Sequence, residues 1–575
     1  MQSAKILFCI VLVFIVHGAL AWLDNQPQDA GPDVPSGKLR SLSFAPYRDG
    51  FSPITHTFPL PEHIDADIGL VADKTYNIRT YSARGGMEPT PDFARKHGVD
   101  VILGGWLGDS HPENRIEIDK LIETANAHPD VVKRVIVGNE VLLRKDMNID
   151  ALIGYIRQVK QAIKQPVTYA DVWSSYLQYP QLFAEVDFIT IHILPYWEDE
   201  PVHIKQAAAH VEKIVRQIQD KAREIGEDKP LLIGESGWPA IGRQRGYAVP
   251  GVVNEARFIR ELIQVANRHN LDYNIVEAFN QPWKSRHEGV VGANWGLLTI
   301  DREPVFPLTG LVYENPDWPK HFAWAAGLLL LIAAAYFKRL QSLSLPRLLV
   351  FLVLAQLFGI GLVTLAHYQW HTSYNDWQRA YSLLMLTANA VMGGLLLQRC
   401  HAILAGQIKH SRQADLLKLG FLLFVLMTLY ETYHLAIDGR YLTFPVRQFA
   451  IPAIGMLALT LCHWIDQGRM DCHHLSFDAL LGSHFSNRLH RLFAVLLSLG
   501  GGGVIAGETY SFLSSHDFIE AHPKLAEGLP VALTYTLENA QLVAWTLGVL
   551  MLSIPFWTGP RLHDERPSQA RKPKV

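Results

Sequence analysis

The feature of this 575-residue sequence that most limits its possible folds is a series of long apolar runs after Trp318. Most of these runs approach 20 residues, roughly the length at which an α-helix crosses the 30 Å core of a bilayer. The runs lie near residues 321–337, 346–367, 379–398, 417–437, 445–465, 491–513 and 531–557. Because backbone polar groups in lipid must be satisfied internally, the runs predict an all-α polytopic membrane domain of about seven helices over residues 319–575.

A further apolar run occupies residues 4–23 at the N-terminus. Its length suits a membrane helix, but the Ala-Leu-Ala sequence at 19–21 also fits a signal-peptidase site. Residues 1–23 are therefore either a transmembrane anchor or a signal peptide, and we adopt the anchor. With either alternative the segment that follows is exported. Residues 24–38 are rich in Pro, Gly and Asp and predict a linker.

Charge changes sign where the apolar runs begin. Residues 24–318 hold 31 Lys and Arg against 41 Asp and Glu, a net −10, whereas residues 319–575 hold 20 against 14, a net +6. If the first of these segments is outside, the later loops and tail carry fifteen Lys and Arg on the inner side and four on the outer side. This asymmetry follows the positive-inside rule. It predicts an exported domain over residues 39–318 and a cytoplasmic C-terminal tail.

Composition also excludes several classes of function for the exported half. Its acidic balance, without a basic stripe, excludes nucleic-acid binding as the main role. The four cysteines are Cys9, Cys400, Cys462 and Cys472, all outside residues 24–318. A disulfide scaffold and a cysteine zinc site are therefore excluded in that half. The sequence predicts neither a metal site nor a cofactor.

Residues 39–318 alternate β-rich runs with helical stretches, which are clearest at 115–127, 148–163, 202–226 and 253–269. The candidate strands are 41–46, 77–82, 99–104, 134–138, 166–170, 187–192, 230–234 and 273–278. Eight strands separated by crossovers in about 270 residues predict an α/β fold, the (β/α)8 TIM barrel. A doubly wound sheet is the alternative, but the SFAPY sequence at 43–47 is not the Gly-rich loop that it needs.

Two carboxylates directly follow apolar strands of this barrel, Glu140 in VIVGNE and Glu235 in LLIGESGWP. Residues just beyond the carboxyl ends of the strands line the active site of such barrels. Glycoside cleavage needs a carboxylate pair, one to protonate the leaving oxygen and one to attack the anomeric carbon. A single strand-end Glu is more often a salt-bridge partner or helix cap. Two of them, flanked by aromatic residues, favour catalysis.

The remaining strand-end positions are mostly aromatic or polar. Aromatic rings stack on sugar faces, and polar groups bind the hydroxyls. The predicted substrate-binding residues are Tyr47, Arg79, Tyr81, Trp106, Asn139, Asp171, Trp173, His192, Tyr196, Trp238, Gln281 and Trp283. Other roles stay open for some of them: Arg79 as a core ion-pair partner, Asp171 as a helix cap, and Trp238 and Trp283 as packing residues.

These motifs resemble glycoside hydrolase family 17, the β-1,3-glucanases and glucanosyltransferases of a retaining (β/α)8 clan. The clan's acid/base is the Glu of an Asn-Glu pair after the fourth strand, which matches Asn139 and Glu140. Its nucleophile follows the seventh strand, which matches Glu235. The resemblance covers roughly residues 41–313. The turn at residues 192–196, HILPY, departs from the family pattern.

The runs IRTYS at 78–82, EAFNQPWK at 277–284 and NWGLLTIDREPVF at 294–306 resemble the bacterial branch of this family. The resemblance implies an enzyme that cleaves β-1,3-glucan and transfers the glucosyl unit to an acceptor glucan, forming β-1,3 or β-1,6 linkages. Plain hydrolysis is one alternative, and a polytopic transporter or sensor with a glucan-binding barrel is another. The expected partners are β-glucan and the lipid bilayer, with a membrane glucan synthase as a further candidate. The expected location is a bacterial cytoplasmic membrane, with the barrel in the periplasm.

Overall fold

A computed structural model describes residues 2–407, 412–468, 475–483 and 486–558. The chain forms two compact units. One comprises Pro27–Glu314 with His516–Phe518, and the other comprises the remainder. Cys472, the predicted cytoplasmic tail beyond residue 558 and part of the Lys and Arg asymmetry lie outside the described residues.

The first unit is a closed barrel of parallel strands in the order β1 to β8, which confirms the predicted (β/α)8 fold. The strands are β1 Leu39–Ser43, β2 Thr75–Arg79, β3 Asp100–Gly105, β4 Val132–Asn139, β5 Val167–Val172, β6 Ile189–His192, β7 Leu231–Ser236 and β8 Asp272–Ile275. Leu42 of β1 pairs with Ile275 of β8 and closes the barrel. Barrel strands are buried on both faces, so their sequences are nearly continuous apolar runs.

Helices follow the strands and cover the barrel. They are α2 Pro61–Val71, α3 Thr90–His97, α4 His111–Ala127, α5 Ile149–Ala162, α6 Trp173–Gln178, α7 Leu182–Glu185, α8 Ile204–Glu224, α9 Val252–Arg268 and α10 Ser285–Gly292, with 3-10 turns at Pro35–Gly37 and Pro282–Lys284. In α9, Ala256, Ile259 and Ile263 are buried at intervals of three and four residues. This spacing places them on one face of the helix.

The two ends of the barrel unit meet. The backbone N–H of Gln28 donates to the carbonyl of Val312 at 2.8 Å, and the reciprocal bond measures 3.0 Å. Ala30 and Val34, within the segment predicted as a linker, are buried in the barrel core. Much of that segment is therefore part of the barrel unit.

Within the described residues, eight helices are long and apolar enough to span a membrane. They are α1 Gln2–Asp24, α11 Trp318–Leu340, α12 Leu345–His371, α13 Asp376–Leu404, α14 Arg412–Ile437, α15 Val446–Gln467, α17 Asn487–Leu513 and α20 Ala540–Trp557. The shorter helices are α16 Phe477–Leu481, α18 His516–Ala521 and α19 Leu525–Glu538.

The sequence predicted one helix for the apolar run near 531–557. The structure instead has two, α19 and α20, which Asn539 separates. Its side-chain oxygen accepts hydrogen bonds at 3.1 Å from the backbone N–H groups of Gln541 and Leu542. Asn is a favoured N-cap because it satisfies these otherwise unpaired donors. The polar side chain therefore begins a new helix inside an apolar run.

Candidate active site

Glu140 lies in a tight turn at the carboxyl end of β4. Gly138 and Glu140 have φ values of +86° and +52°, in the left-handed region that non-glycine residues rarely adopt. A Cβ on Gly138 would lie 2.9 Å from Cγ2 of Val141, so the position requires glycine. The backbone N–H of Glu140 donates to the carbonyl of Ala170 at 2.8 Å. This strained turn leaves the Glu140 side chain 23% exposed.

Asp171, which the sequence offered as either a sugar ligand or a cap, lies behind this turn and is fully buried. Its Oδ1 accepts from the backbone N–H of Val172 at 2.7 Å, and its Oδ2 accepts from Leu142 N–H at 3.2 Å. The Tyr169 hydroxyl also donates to Oδ2. In this position Asp171 supports the turn that carries Glu140.

Glu235 lies near the end of β7 and is held by Arg79 from β2. Arg79 is buried, and its Nη1 donates to Glu235 Oε1 at 3.0 Å. The Nη2 of Arg79 donates to Asn139 Oδ1 at 2.5 Å, which orients the residue before Glu140. Burial acts to raise the pKa of Glu235, but His192, Arg79, Lys284 and a hydrogen bond from Tyr81 outweigh it and lower that pKa. Glu235 is therefore kept ionised.

His192 connects the two glutamates. Its buried ring hydrogen-bonds through Nδ1 with Glu140 Oε1 at 2.9 Å, and its Nε2 lies 3.7 Å from Glu235 Oε1. One side-chain ligand atom from each of the three residues lies within 4.8 Å of the other two. The strand ends of β4, β6 and β7 thus bring a carboxylate pair and an imidazole together.

A second group of charged residues, which the sequence analysis did not assign to the site, lies beside Glu235. Lys284 Nζ donates to Glu277 Oε1 at 2.7 Å. Burial raises the pKa of Glu277 to about 7, although Lys284 acts against the rise. Burial also raises the pKa of Glu288, with Lys284 opposing it. Glu277 and Lys284 begin and end the EAFNQPWK sequence, and that motif was the available signal.

Aromatic side chains lie at the strand ends with part of their surface exposed. Trp106 is 45% exposed, and its backbone N–H donates to the buried Glu117 carboxylate at 3.1 Å. The guanidinium of Arg144 lies 4.3 Å from the Trp106 ring centroid. Trp173 and Trp283 are half-buried. These rings supply flat apolar surfaces suited to sugar stacking.

Three other predicted substrate-binding residues are buried below these strand ends. The Tyr196 hydroxyl donates to the Arg243 carbonyl at 2.5 Å, and Trp238 Nε1 donates to the Val249 carbonyl at 2.9 Å. Gln281 Nε2 donates to the Ala45 carbonyl at 2.6 Å. Of the three, Gln281 also contacts a ring of the partly exposed layer, because its Oε1 accepts a hydrogen bond from Trp283 Nε1 at 2.8 Å.

The half-buried predicted residues Tyr47 and Tyr81 also have defined neighbours. The Tyr47 ring meets the Trp283 ring edge-on at 6.0 Å between centroids. The Tyr81 hydroxyl lies 2.9 Å from Ser43 Oγ, within hydrogen-bond distance. Sequence position after a strand therefore located these residues but did not distinguish exposed from buried side chains.

Residues 41–296 match the family model described as the BtgE/BtgC glycoside hydrolase domain. This match supports a glycoside hydrolase domain of the family 17 type in the barrel. The match begins in β1, ends beyond β8, and includes both glutamates, Arg79 and His192. This identification confirms the family resemblance and the prediction that the chain is an enzyme.

The glycoside hydrolase domain is similar to several fungal proteins. A glucan 1,3-beta-glucosidase of Arthroderma benhamiae is 27% identical over 254 residues, which cover 42% of this chain and 82% of the relative. A probable beta-glucosidase btgE of Aspergillus flavus is 25% identical over 279 residues, covering 47% of this chain and 44% of the relative. The chain thus spans less than half of the Aspergillus protein.

Among solved structures, the domain is similar to a glycoside hydrolase family 17 beta-1,3-glucanosyltransferase from Rhizomucor miehei. The two share 26% sequence identity with a TM-score of 0.41. The similarity covers 47% of this chain and 96% of the Rhizomucor chain. In all three comparisons the matched region is about half of this chain or less.

Proposed function

We propose that this chain is a membrane-held retaining enzyme that cleaves β-1,3-glucan and transfers the glucosyl or glucanosyl unit to an acceptor glucan. The observation that carries the proposal is the pairing of Glu140 with Glu235, whose carboxylate oxygens approach within 4.8 Å. Retaining enzymes separate their carboxyl groups by about 5–5.5 Å, whereas inverting enzymes leave about 6.5–9.5 Å for a water molecule. The relatives named for β-1,3-glucan chemistry support the substrate class.

In the first step, Glu140 donates its proton to the glycosidic oxygen while an oxygen of Glu235 attacks the anomeric carbon. The carbon–oxygen bond to the leaving sugar breaks, and a glycosyl ester forms on Glu235. The lowered pKa of Glu235 provides the ionised nucleophile. Arg79 fixes its position through the bond at 3.0 Å.

In the second step, Glu140 takes the proton of an incoming hydroxyl, whose oxygen attacks the anomeric carbon and releases Glu235. Water gives hydrolysis, and a sugar hydroxyl gives a new glycosidic bond. A sugar competes with water at about 55 M only when it is held in place, which makes the attack effectively intramolecular. The partly exposed rings of Trp106, Trp173 and Trp283 are the surfaces that we assign to holding the glucan.

We place the barrel in the periplasm of a bacterium and keep α1 as a permanent membrane helix. Ile6, Cys9 and Val13 of α1 are buried against the other membrane helices. Lys5 Nζ donates to the Leu343 carbonyl at 2.6 Å, and His17 Nδ1 pairs with Gln356 Nε2 at 2.9 Å. Cleavage behind residue 21 would remove these contacts. A membrane location suits remodelling of a glucan at the membrane where a glucan synthase produces it.

The test is product analysis with the purified full-length chain in detergent and millimolar laminari-oligosaccharides. Transfer yields products longer than the substrate, whereas plain hydrolysis yields only shorter ones and glucose. Glu235→Ala should abolish turnover, with partial recovery by azide, which replaces the missing nucleophile. Glu140→Ala should retain activity on substrates with good leaving groups, because they need little protonation. Wild-type turnover of unactivated glucan by either variant would refute the assignment.

In a transporter or sensor whose barrel only binds glucan, Glu140 would not need to donate a proton and Glu235 would not need to act as a nucleophile. The structure gives Glu235 a lowered pKa and Glu140 a strained turn, and simple sugar binding requires neither feature. These observations favour the enzyme. Tight glucan binding with no new products would support the transporter or sensor instead.

A further inference from the structure

The buried Nε2 atom of His192 takes part in neither proton transfer of the proposed mechanism. Its Nδ1 hydrogen-bonds with Glu140, but among the described residues its Nε2 has no hydrogen-bond partner, although the side chain is fully buried. Leaving a polar atom unpaired in the interior costs free energy. Nε2 lies 3.7 Å from Glu235 Oε1, so it points toward the carboxylate pair.

Two carboxylates and one imidazole nitrogen are a ligand set for a divalent transition metal. Zinc binds His nitrogen at about 2.0–2.1 Å and carboxylate oxygen at about 2.0–2.2 Å, which places its ligand atoms roughly 3–3.6 Å apart. One ligand atom from each of Glu140, His192 and Glu235 already lies within 4.8 Å of the other two. Because one ion binds only one nitrogen of the ring, an ion on Nε2 completes the three-ligand site when the Glu140 side chain leaves its hydrogen bond with Nδ1 and turns toward Glu235.

We infer that Glu140, His192 and Glu235 form an inhibitory site for Zn²⁺ or a similar transition-metal ion. The inference concerns the regulation of the catalytic site and therefore rests on the proposed function. Imidazole nitrogen selects zinc or copper over Mg²⁺ and Ca²⁺, which prefer oxygen ligands. The 23% exposure of the Glu140 side chain gives an ion access.

Occupation of this site blocks both catalytic roles. A metal bound to Glu140 replaces its proton, so the leaving oxygen is not protonated. A metal bound to Glu235 occupies the lone pairs that attack the anomeric carbon. The ion must compete with Arg79, which donates to Glu235 Oε1 at 3.0 Å, so we expect a chelator to reverse the inhibition.

The experiment uses the full-length chain in detergent, stripped of metal and titrated with zinc sulfate. Isothermal titration calorimetry counts the bound ions, and a parallel assay follows turnover of laminari-oligosaccharides. The variant is His192→Asn, which keeps a polar group but removes the imidazole ligand. The matched control is His210→Asn, because His210 Nε2 also pairs with a carboxylate of the barrel, Glu198 Oε1 at 3.3 Å.

We expect the wild-type chain and His210→Asn to bind one more zinc ion than His192→Asn. We expect zinc to inhibit His192→Asn at least tenfold more weakly than wild type, each relative to its own uninhibited rate, and magnesium to inhibit neither. Equal zinc stoichiometry in wild type and His192→Asn overturns the site, as does equal inhibition. Calorimetry does not depend on turnover. If the untreated wild type makes no glucan products but still binds one more zinc ion than His192→Asn, the proposed function fails and the metal site stands.

Discussion

Replacement of Arg79 by Met tests whether a buried cation creates the ionised nucleophile. Arg79 donates to Glu235 Oε1 at 3.0 Å, to Asn139 Oδ1 at 2.5 Å and to the Gly234 carbonyl at 2.6 Å. Methionine retains much of the side-chain length but offers no donor. Breaking a buried pair by removing one partner costs about 3–5 kcal/mol, because the remaining charge has no compensation.

The same loss should appear in catalysis. Without Arg79, the ionised form of Glu235 is less favoured and the Asn139 side chain loses its fixed orientation. If about 3 kcal/mol of this interaction supports the reactive state, kcat/KM falls by roughly 100-fold. Product analysis with laminari-oligosaccharides measures the activity. Hydrogen exchange of peptides from β2 and β7 in the full-length chain measures the local stability.

The control is Arg134→Met, which removes the same side chain from the opposite end of the barrel. Arg134 Nη2 pairs with Asp272 Oδ2 at 2.5 Å, but the two side chains are 35% and 40% exposed. A pair this exposed contributes about 0–1 kcal/mol and lies far from the chemistry. In a Glu235→Gln background, Arg79→Met should cost less stability, because the charge that it leaves unpaired is absent. Near-normal turnover in Arg79→Met, or an equal loss in Arg134→Met, would refute the reasoning.

Three further expectations follow from the structure. The pKa of Glu277 is about 7 in the folded chain, whereas its ordinary value is 4.5. Between these two pH values the folded chain keeps the Glu277 proton and the unfolded chain releases it. The free energy of unfolding of the barrel should therefore fall by roughly 3 kcal/mol as the pH rises from 4.5 to 7. Hydrogen exchange measures this dependence on pH, and Glu277→Gln should remove most of it. Trp106→Ala should lower the ratio of longer products to glucose while leaving total cleavage within about tenfold; an unchanged ratio would remove Trp106 from the acceptor surface, and Trp324→Ala is the control. Alkaline phosphatase fused after Glu314 should be active and after Ser344 silent, and the reverse pattern would contradict the topology.

The sequence predicted the barrel well because each strand is buried on both faces and forms a recognisable apolar run. It also located Glu140 and Glu235, since a polar residue directly after such a run belongs to one end of the barrel. It could not separate Trp106 from Trp238. Both follow strands, but one is 45% exposed and the other is buried with its Nε1 bonded to Val249.

Two other features depend on contacts that hydropathy does not report. Lys284 ends the 3-10 turn at Pro282–Lys284, and its Nζ donates to Glu277, seven residues earlier in the chain. The division between α19 and α20 depends on one capping side chain, Asn539, within a stretch whose average hydropathy is that of a single span. In both cases the sequence pattern was present, but its three-dimensional consequence required the coordinates.

The pairing of Gln28 with Val312 makes the catalytic unit a cassette. Domains whose two ends lie together can be inserted into a host chain, or removed from it, without displacing the host's own elements. Here the host is the helical unit, in which α1 and α11 pack against each other through the rings of Phe14 and Phe322, whose centroids are 6.3 Å apart. Two genetic junctions, near residues 26 and 315, would therefore exchange all of the barrel unit except His516–Phe518 for another enzyme. The same helical unit can in this way carry enzymes of different chemistry during evolution or in an engineered chain.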